Sequence, residues 1–139
     1  MDDIEIGYAA GLFDGEGSIS ITKRTVGRIT PMYMVQVQIS MRCKEVPEWF
    51  ANHFGGSALV YKQGKHALGN GNICKWVTAG HNAQSFLEVV VPYLIEKRKQ
   101  AEVALEFPIG MSCMSRQFSP GEIGEREYLY NVMKDLHTK

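Results

Sequence analysis

Two periodicities divide the chain. Residues 4–13, 45–54, 82–91, 94–107 and 122–136 read as helices with one buried side. Apolar residues return at every second position in Ser18-Ile19-Ser20-Ile21-Thr22 and in Val35-Gln36-Val37-Gln38-Ile39-Ser40, the spacing of strands with one wet face. Two further strands fit residues 57–61 and 73–78, and the Gly-, Asn- and Lys-rich stretch 62–72 between them reads as a long hairpin tip. The order is helix, two strands, helix, two strands, helices. It predicts one α+β domain over residues 1–139, with a four-stranded antiparallel sheet, helices on one face and a polar, uncovered opposite face.

Punctuation supports these limits. Asp2 or Asp3 caps the first helix, and Asp14-Gly15-Glu16-Gly17 breaks it. Gly55-Gly56 ends the second helix and Pro92 stops the third. Residues 24–31, with Gly27 and Pro31, and residues 108–121 read as loops. The second helix lines up Val46, Trp49, Phe50 and His53, and the last, about 122–136, lines up Tyr128, Val132 and Leu136.

A chain of 139 residues that is 45% hydrophobic can bury a real core. It has no apolar run near the ~20 residues of a membrane span. The acidic start, Met1-Asp2-Asp3, lacks the basic opening of a signal peptide, so an intracellular rather than secreted protein is expected, in a bacterium, a phage host or an organelle. Cys43, Cys74 and Cys113 are odd in number and widely spaced, which points to reduced thiols rather than a disulfide framework or zinc site. Net charge is zero, which does not favour a nucleic-acid binder. The distribution changes that picture: residues 1–22 hold five acids and no base, and residues 23–99 hold eleven bases against four acids. The basic middle suits a phosphate-binding face, although chance clustering on an ordinary surface gives the same counts.

The first helix carries the most chemistry. Gly7, Gly11 and Gly15 recur every four residues, with Ala10 beside them. Each glycine disfavours a helix by about 1 kcal/mol relative to alanine. Such a stripe lets another backbone come close; a helix packed tightly within its own core is the other reading. Asp14 and Glu16 sit below the stripe. Were two copies of this helix to pack about a two-fold axis, their carboxylates would converge and repel unless a divalent cation neutralised them. Asp14 reads equally well as a structural acid bonding nearby backbone amides, and Glu16 as a solvated turn residue.

Ala9-Ala10-Gly11-Leu12-Phe13-Asp14-Gly15-Glu16-Gly17 resembles the LAGLIDADG motif of homing endonucleases, with Ala9 in place of the opening leucine and Glu16 in place of the final aspartate. The agreement extends over about residues 5–107: Phe54-Gly55-Gly56 before a strand is similar to the family, and residues 91–100 are similar to its P-x-L-x-x-K-x-x-Q segment. The resemblance implies the LAGLIDADG homing endonuclease fold, with a saddle-like sheet in the order αββαββα. It implies site-specific cleavage of both strands of a long, near-palindromic DNA duplex, for the homing of an intron or intein. One motif per chain implies a homodimer joined through the first helix, with no membrane partner.

The resemblance also assigns roles. Glu16 would be the metal ligand, with the Gly15 carbonyl, for Mg2+ or Mn2+; Ca2+ would occupy the sites without supporting cleavage. Asp14 would be structural at the base of the helix, as would Gly7, Ala10 and Gly11 along it. Lys97 would act near the scissile phosphates, and a water molecule would be the nucleophile. A position often held by glutamine falls on Met41, which cannot orient water by hydrogen bonding. For DNA, the outward strand residues Ser18, Ser20, Thr22, Arg24, Gln36, Gln38 and Ser40 are expected in the major groove, followed by Arg42. Lys23, Arg28, Lys62, Lys65 and Lys75 are expected on phosphates, His66 lies on the hairpin tip, and Trp76 either faces DNA or packs inside. Competing readings are an intron RNA maturase, a catalytically inactive DNA-binding regulator and a structural module without a nucleic-acid partner. Glu16 and Lys97 favour cleavage, whereas Met41 leans towards the regulator.

Overall fold

The alternating segments form one antiparallel sheet. Its strands are β1 (Gly17–Arg24), β2 (Met32–Met41), β3 (Ser57–Lys62) and β4 (Asn72–Ala79), in the order β1-β2-β4-β3. This structure, a computed structural model, describes residues 1–25, 27, 30–62, 72–108 and 120–137, with Lys62 described in its backbone alone. Arg28, Lys65, His66 and Cys113 lie outside the described residues.

Alternation sorts the side chains. Ile19 and Ile21 on β1, Tyr33, Val35, Val37 and Ile39 on β2, and Cys74, Trp76 and Thr78 on β4 are buried. Five helices complete that side: α1 (Asp3–Glu16), α2 (Glu45–Phe54), α3 (Gly80–Val90), α4 (Arg98–Glu106) and α5 (Pro120–His137). Phe13 of α1, Phe50 of α2 and Phe86 of α3 pack with Trp76, at ring separations of 4.9 Å for Phe13–Phe86 and 5.1 Å for both Phe50–Trp76 and Trp76–Phe86. Trp76 is therefore a core residue, and its indole N–H donates to the Gly55 carbonyl at 2.8 Å. No helix of the described residues is long and apolar enough to cross a membrane.

Several limits differ from those read in the sequence. Helix α1 starts in a capping box, in which the Asp2 carboxylate accepts from the Glu5 N–H at 2.8 Å. It does not break at Asp14. It continues to Glu16 and stops at Gly17, so both acids sit in its last turn. A single 3₁₀ turn, Val91–Tyr93, follows α3, and α4 begins at Arg98 rather than at residue 94. The reason is a long-range contact: the N–H groups of Ile95, Glu96 and Lys97 donate to the Asp14 carboxylate instead of entering a helix.

On α5 the buried stripe is Arg126, Leu129 and Met133, not the expected line through Tyr128, which is 66% exposed. Polar anchors fix that rotation. Glu127 takes an ion pair from Lys23 at 2.8 Å and a short hydrogen bond from the Tyr33 hydroxyl, and His137 donates to the Ile19 carbonyl. On α2 the buried residues are Pro47 and Phe50, with Val46 and Trp49 half-buried, while His53 is exposed and paired with Glu5 at 3.3 Å.

Two glycines are demanded by space. A Cβ on Gly17 would stand 2.3 Å from the Phe13 ring, and one on Gly56, at φ +85°, would stand 2.4 Å from the Val77 carbonyl. Gly17→Ala is expected to cost about 1–3 kcal/mol in urea unfolding through overpacking at Phe13; an unchanged midpoint would contradict this packing.

Candidate active site and nucleic-acid interface

Asp14 and Glu16 occupy the C-terminal turn of α1, where the helix dipole is negative and carboxylates are disfavoured. The turn has no basic residue of its own. Each acid meets this situation differently. The Asp14 carboxylate accepts three backbone N–H bonds, from Ile95 at 3.1 Å, Glu96 at 3.1 Å and Lys97 at 2.9 Å. Partial burial opposes its charge, but those donors and the nearby Lys97 ammonium hold its carboxyl below the usual carboxylate range. Both oxygens are thereby engaged, which favours the structural reading of Asp14 over ligation. Glu16 is exposed and takes no hydrogen bond or ion pair among the described residues.

Lys97 supplies the cation that the turn lacks. Its ammonium donates to the Asp14 carbonyl at 2.5 Å, and the residue is half-buried rather than a solvated helix charge. Arg98, next in sequence, braces the same loop: its guanidinium donates to the carbonyls of Leu94 at 3.0 Å and Pro92 at 2.9 Å. The sequence analysis assigns Arg98 no role and misses this brace. Its position six residues after Pro92 was the available signal.

The tip therefore presents one free carboxylate, from Glu16, and the exposed Gly15, whose carbonyl belongs to the unpaired end of the helix. These are hard oxygen donors of the kind that magnesium accepts. They are too few for a full coordination shell, and the described residues contain no cluster of three or more His, Cys, Asp or Glu side chains suited to a metal. The donor set fits a divalent cation only if further oxygens come from water, phosphate or a second copy.

Along α1, the helix face settles one alternative. A Cβ added to Gly7, Gly11 or Gly15 would meet nothing within 4 Å, and all three are exposed. The chain's own packing does not require these glycines. Ala10, by contrast, is fully buried in the core.

The face of the sheet away from the helices carries the expected outward residues. Cross-strand partners Ser18↔Gln38 and Ser20↔Gln36 join β1 to β2, Thr22 pairs with Met34 and Arg24 with Met32, and Ser40 pairs with Lys75 of β4. Since cross-strand partners share a face, Ser18, Ser20, Thr22, Arg24, Gln36, Gln38, Ser40 and Lys75 form one continuous surface. That surface is mixed rather than polar throughout, because Met32 and Met34 lie on its β1–β2 half and Leu59, Tyr61, Ile73 and Val77 on its β3–β4 half. Arg42 follows β2 in a bend and is exposed. Lys62 closes β3, opposite Asn72.

One expectation fails. Lys23 does not reach towards phosphate, because it lies on the helix side, bound to Glu127 and 5.6 Å from the Tyr33 ring centre. Met41 is half-buried against the core. Ser40, one residue earlier, is the exposed end of the open face.

The Asp14 clamp yields a pH test. Its depressed carboxyl contributes stability in full above the unfolded value of about 3.9, and loses it as pH falls through the lower folded value. Asp14→Asn is expected to destabilise the fold by roughly 1.5–3 kcal/mol at pH 7 in urea unfolding. The gap to wild type should close as pH falls below about 4; a gap that stays constant down to pH 2 would contradict the clamp.

No protein-family profile matches the sequence, and no curated protein matches it. Solved structures do. The homing endonuclease I-CvuI bound to its target is 18% identical, with a TM-score of 0.76 over 96% of this chain and 82% of its own. The archaeal intron-encoded homing endonuclease I-Vdi141I bound to DNA is 17% identical, with a TM-score of 0.75 over 98% of this chain and 86% of its own. The LAGLIDADG homing endonuclease I-SmaMI bound to cleaved DNA is 15% identical, with a TM-score of 0.68 over 92% of this chain but 43% of its own. Matched across its length by three such enzymes, this chain has the fold of the LAGLIDADG homing endonucleases.

Proposed function

We propose that the chain is a site-specific DNA endonuclease that works as a homodimer and cuts both strands of a near-palindromic duplex. The observation that carries this reading is the contrast between the two acids of the α1 tip. Asp14 is consumed by structure, whereas Glu16 stands free at the unfavourable end of a helix, with Lys97 fixed beside the turn. An exposed acid in that position weakens the helix, so its presence favours a task outside the chain. The open glycine face along the same helix supports a second α1 as the contact.

Within that reading each residue has a defined task. Glu16 and the Gly15 carbonyl would hold the cation together with their counterparts from the second copy. Magnesium or manganese, when bound there, would supply Lewis-acid stabilisation of a phosphodiester oxygen, and calcium would fit the same donors without supporting cleavage. I-CvuI structures were obtained with DNA in the presence of 2 mM Ca and of 2 mM Mg, the latter with the DNA not cleaved, which supports a divalent cation without separating the two ions. Lys97 offers an ammonium to charge developing on the scissile phosphate. Asp14 positions Lys97 by bonding its backbone N–H. No side chain is needed as nucleophile, since water attacks.

The open face reads the duplex. A two-stranded ribbon fits the major groove, where Gln36 and Gln38 suit adenine, Arg24 suits guanine and the hydroxyls of Ser18, Ser20, Thr22 and Ser40 are permissive. Lys75 and Arg42 suit phosphates, as do Arg28, Lys62 and Lys65 if they reach the duplex. A two-fold pair of such faces calls for two inverted half-sites.

Cleavage profiling on a randomised duplex library tests the proposal. Wild type should cut a near-palindromic subset with Mg2+ and none in chelator. Glu16→Gln should lower cutting about 10²–10³-fold while binding changes little. A wild-type chain that leaves every duplex intact refutes the nuclease reading. Gly11→Leu should fold normally, because a Cβ there meets nothing within 4 Å in the protomer and the position is exposed, yet lose cutting with dimerisation; full activity in that variant would refute the α1 seam.

A further inference from the structure

The last helix lies along the strand that leaves Glu16. Strand β1 is an edge of the sheet, and its first residue, Gly17, follows Glu16 directly. Helix α5 holds that strand at two points. Its Glu127 carboxylate takes the Lys23 ammonium of β1 at 2.8 Å and the Tyr33 hydroxyl of β2. Its His137 ring donates through Nε2 to the Ile19 carbonyl. The two spacings match. Glu127 and His137 are ten residues apart on a helix, about 15 Å. Ile19 and Lys23 are four residues apart on a strand, about 13 Å. Helix α5 therefore runs antiparallel to β1, with its C-terminal end nearest Glu16. Between the two anchors Leu129 and Met133 are buried, so the helix is packed as well as tied.

A histidine in the last turn of a helix is well placed to bond the helix's own free carbonyls. His137 instead reaches a strand 118 residues away in sequence. Its acceptor, Ile19, lies three residues beyond Glu16, and Asp14, two residues before Glu16, is tied to residues 95–97. The free acid is thus bracketed by one anchor on its helix side and one on its strand side. Covering an edge strand against association needs only a packed helix, not a bond so close to the acid. We propose that His137 is a positioning residue for Glu16: by holding the Ile19 carbonyl it fixes the strand that leaves the acid, so that the carboxylate keeps its place when a duplex binds. This rests on the DNA-cleaving reading above and adds to it a role for the end of α5. It predicts a split between chemistry and binding. Affinity is summed over many contacts, whereas cleavage depends on reacting groups held to within a fraction of an ångström. What Ile19 needs from the ring is an N–H donor, which a glutamine amide also supplies.

Three measurements test it. Single-turnover cutting of the preferred duplex, with protein in excess and Mg2+ present, gives the rate of the bound complex. Fluorescence anisotropy with Ca2+ gives the affinity, and hydrogen exchange of the free protein reports on β1 without any cutting. His137→Ala is expected to lower the rate about tenfold with the affinity unchanged. The protected amides of residues 18–20 should exchange faster in that variant. His137→Gln should restore most of the rate and of the protection. His137 is exposed at the end of α5, so both variants keep the core. A wild-type rate in His137→Ala overturns this inference and leaves the nuclease reading standing. So does an equal fall in both variants, which would mark a general loss of packing, and so does weaker binding at an unchanged rate. Unaltered exchange at residues 18–20 also overturns it. Self-association of His137→Ala with undiminished cutting would make α5 an edge cover alone, again overturning it. A wild-type chain that cuts no duplex removes both readings.

Discussion

The Asp14 carboxylate ties two segments distant in sequence into one end of the molecule. Helix α1 brings it to the tip, and the N–H groups of Ile95, Glu96 and Lys97 close on it. Without that closure the segment before α4 has no reason to leave the helical path, and Lys97 loses the bond that fixes its backbone. The ammonium of Lys97 then completes the turn by binding the Asp14 carbonyl, and Arg98 braces the loop from its other side. One acid is thus spent on architecture so that its neighbour, Glu16, can remain free at a fixed place.

The same economy governs the surface. Residues that face the core follow packing rules: Ala10 is buried, and Gly17 and Gly56 leave no room for a methyl. Among the described residues, the glycine side of α1 and the open side of the sheet are two surfaces that the packing of the protomer does not fill. Because α1 leads into β1 through Gly17 alone, the free acid lies where the edge strand of the open face begins. Cleavage and recognition would therefore be neighbours by chain connectivity.

Much of this was legible in the sequence because strand alternation is a strong signal. The pattern Val35-Gln36-Val37-Gln38 assigns each residue to a face, and the structure follows it on β1, β2 and β4. The role of Asp14 remained open, because three of its partners lie more than 80 residues away and are backbone groups, which composition cannot reveal. The same long-range bonds explain why α4 starts late. The rotation of α5 escaped because its stripe is weakly apolar, and polar anchors, Glu127 with Lys23 and His137 with Ile19, decide which side faces in. Lys23 was misread for the same reason. In isolation a lysine at a strand end looks free, and only the packed helix supplies its carboxylate. The apolar side chains of the open face at Leu59 and Tyr61 escaped because residues 58–61 of β3, Ala58-Leu59-Val60-Tyr61, are apolar throughout and do not alternate.

The central claim is that two copies meet along the glycine side of α1 and hold their Glu16 carboxylates together on one duplex. Sedimentation equilibrium on a labelled preferred duplex, with Ca2+ to prevent cutting, tests it most directly. The account predicts a complex whose protein mass is two chains of 15.6 kDa per duplex, at all protein concentrations that saturate the DNA. A saturated complex holding a single chain would contradict it.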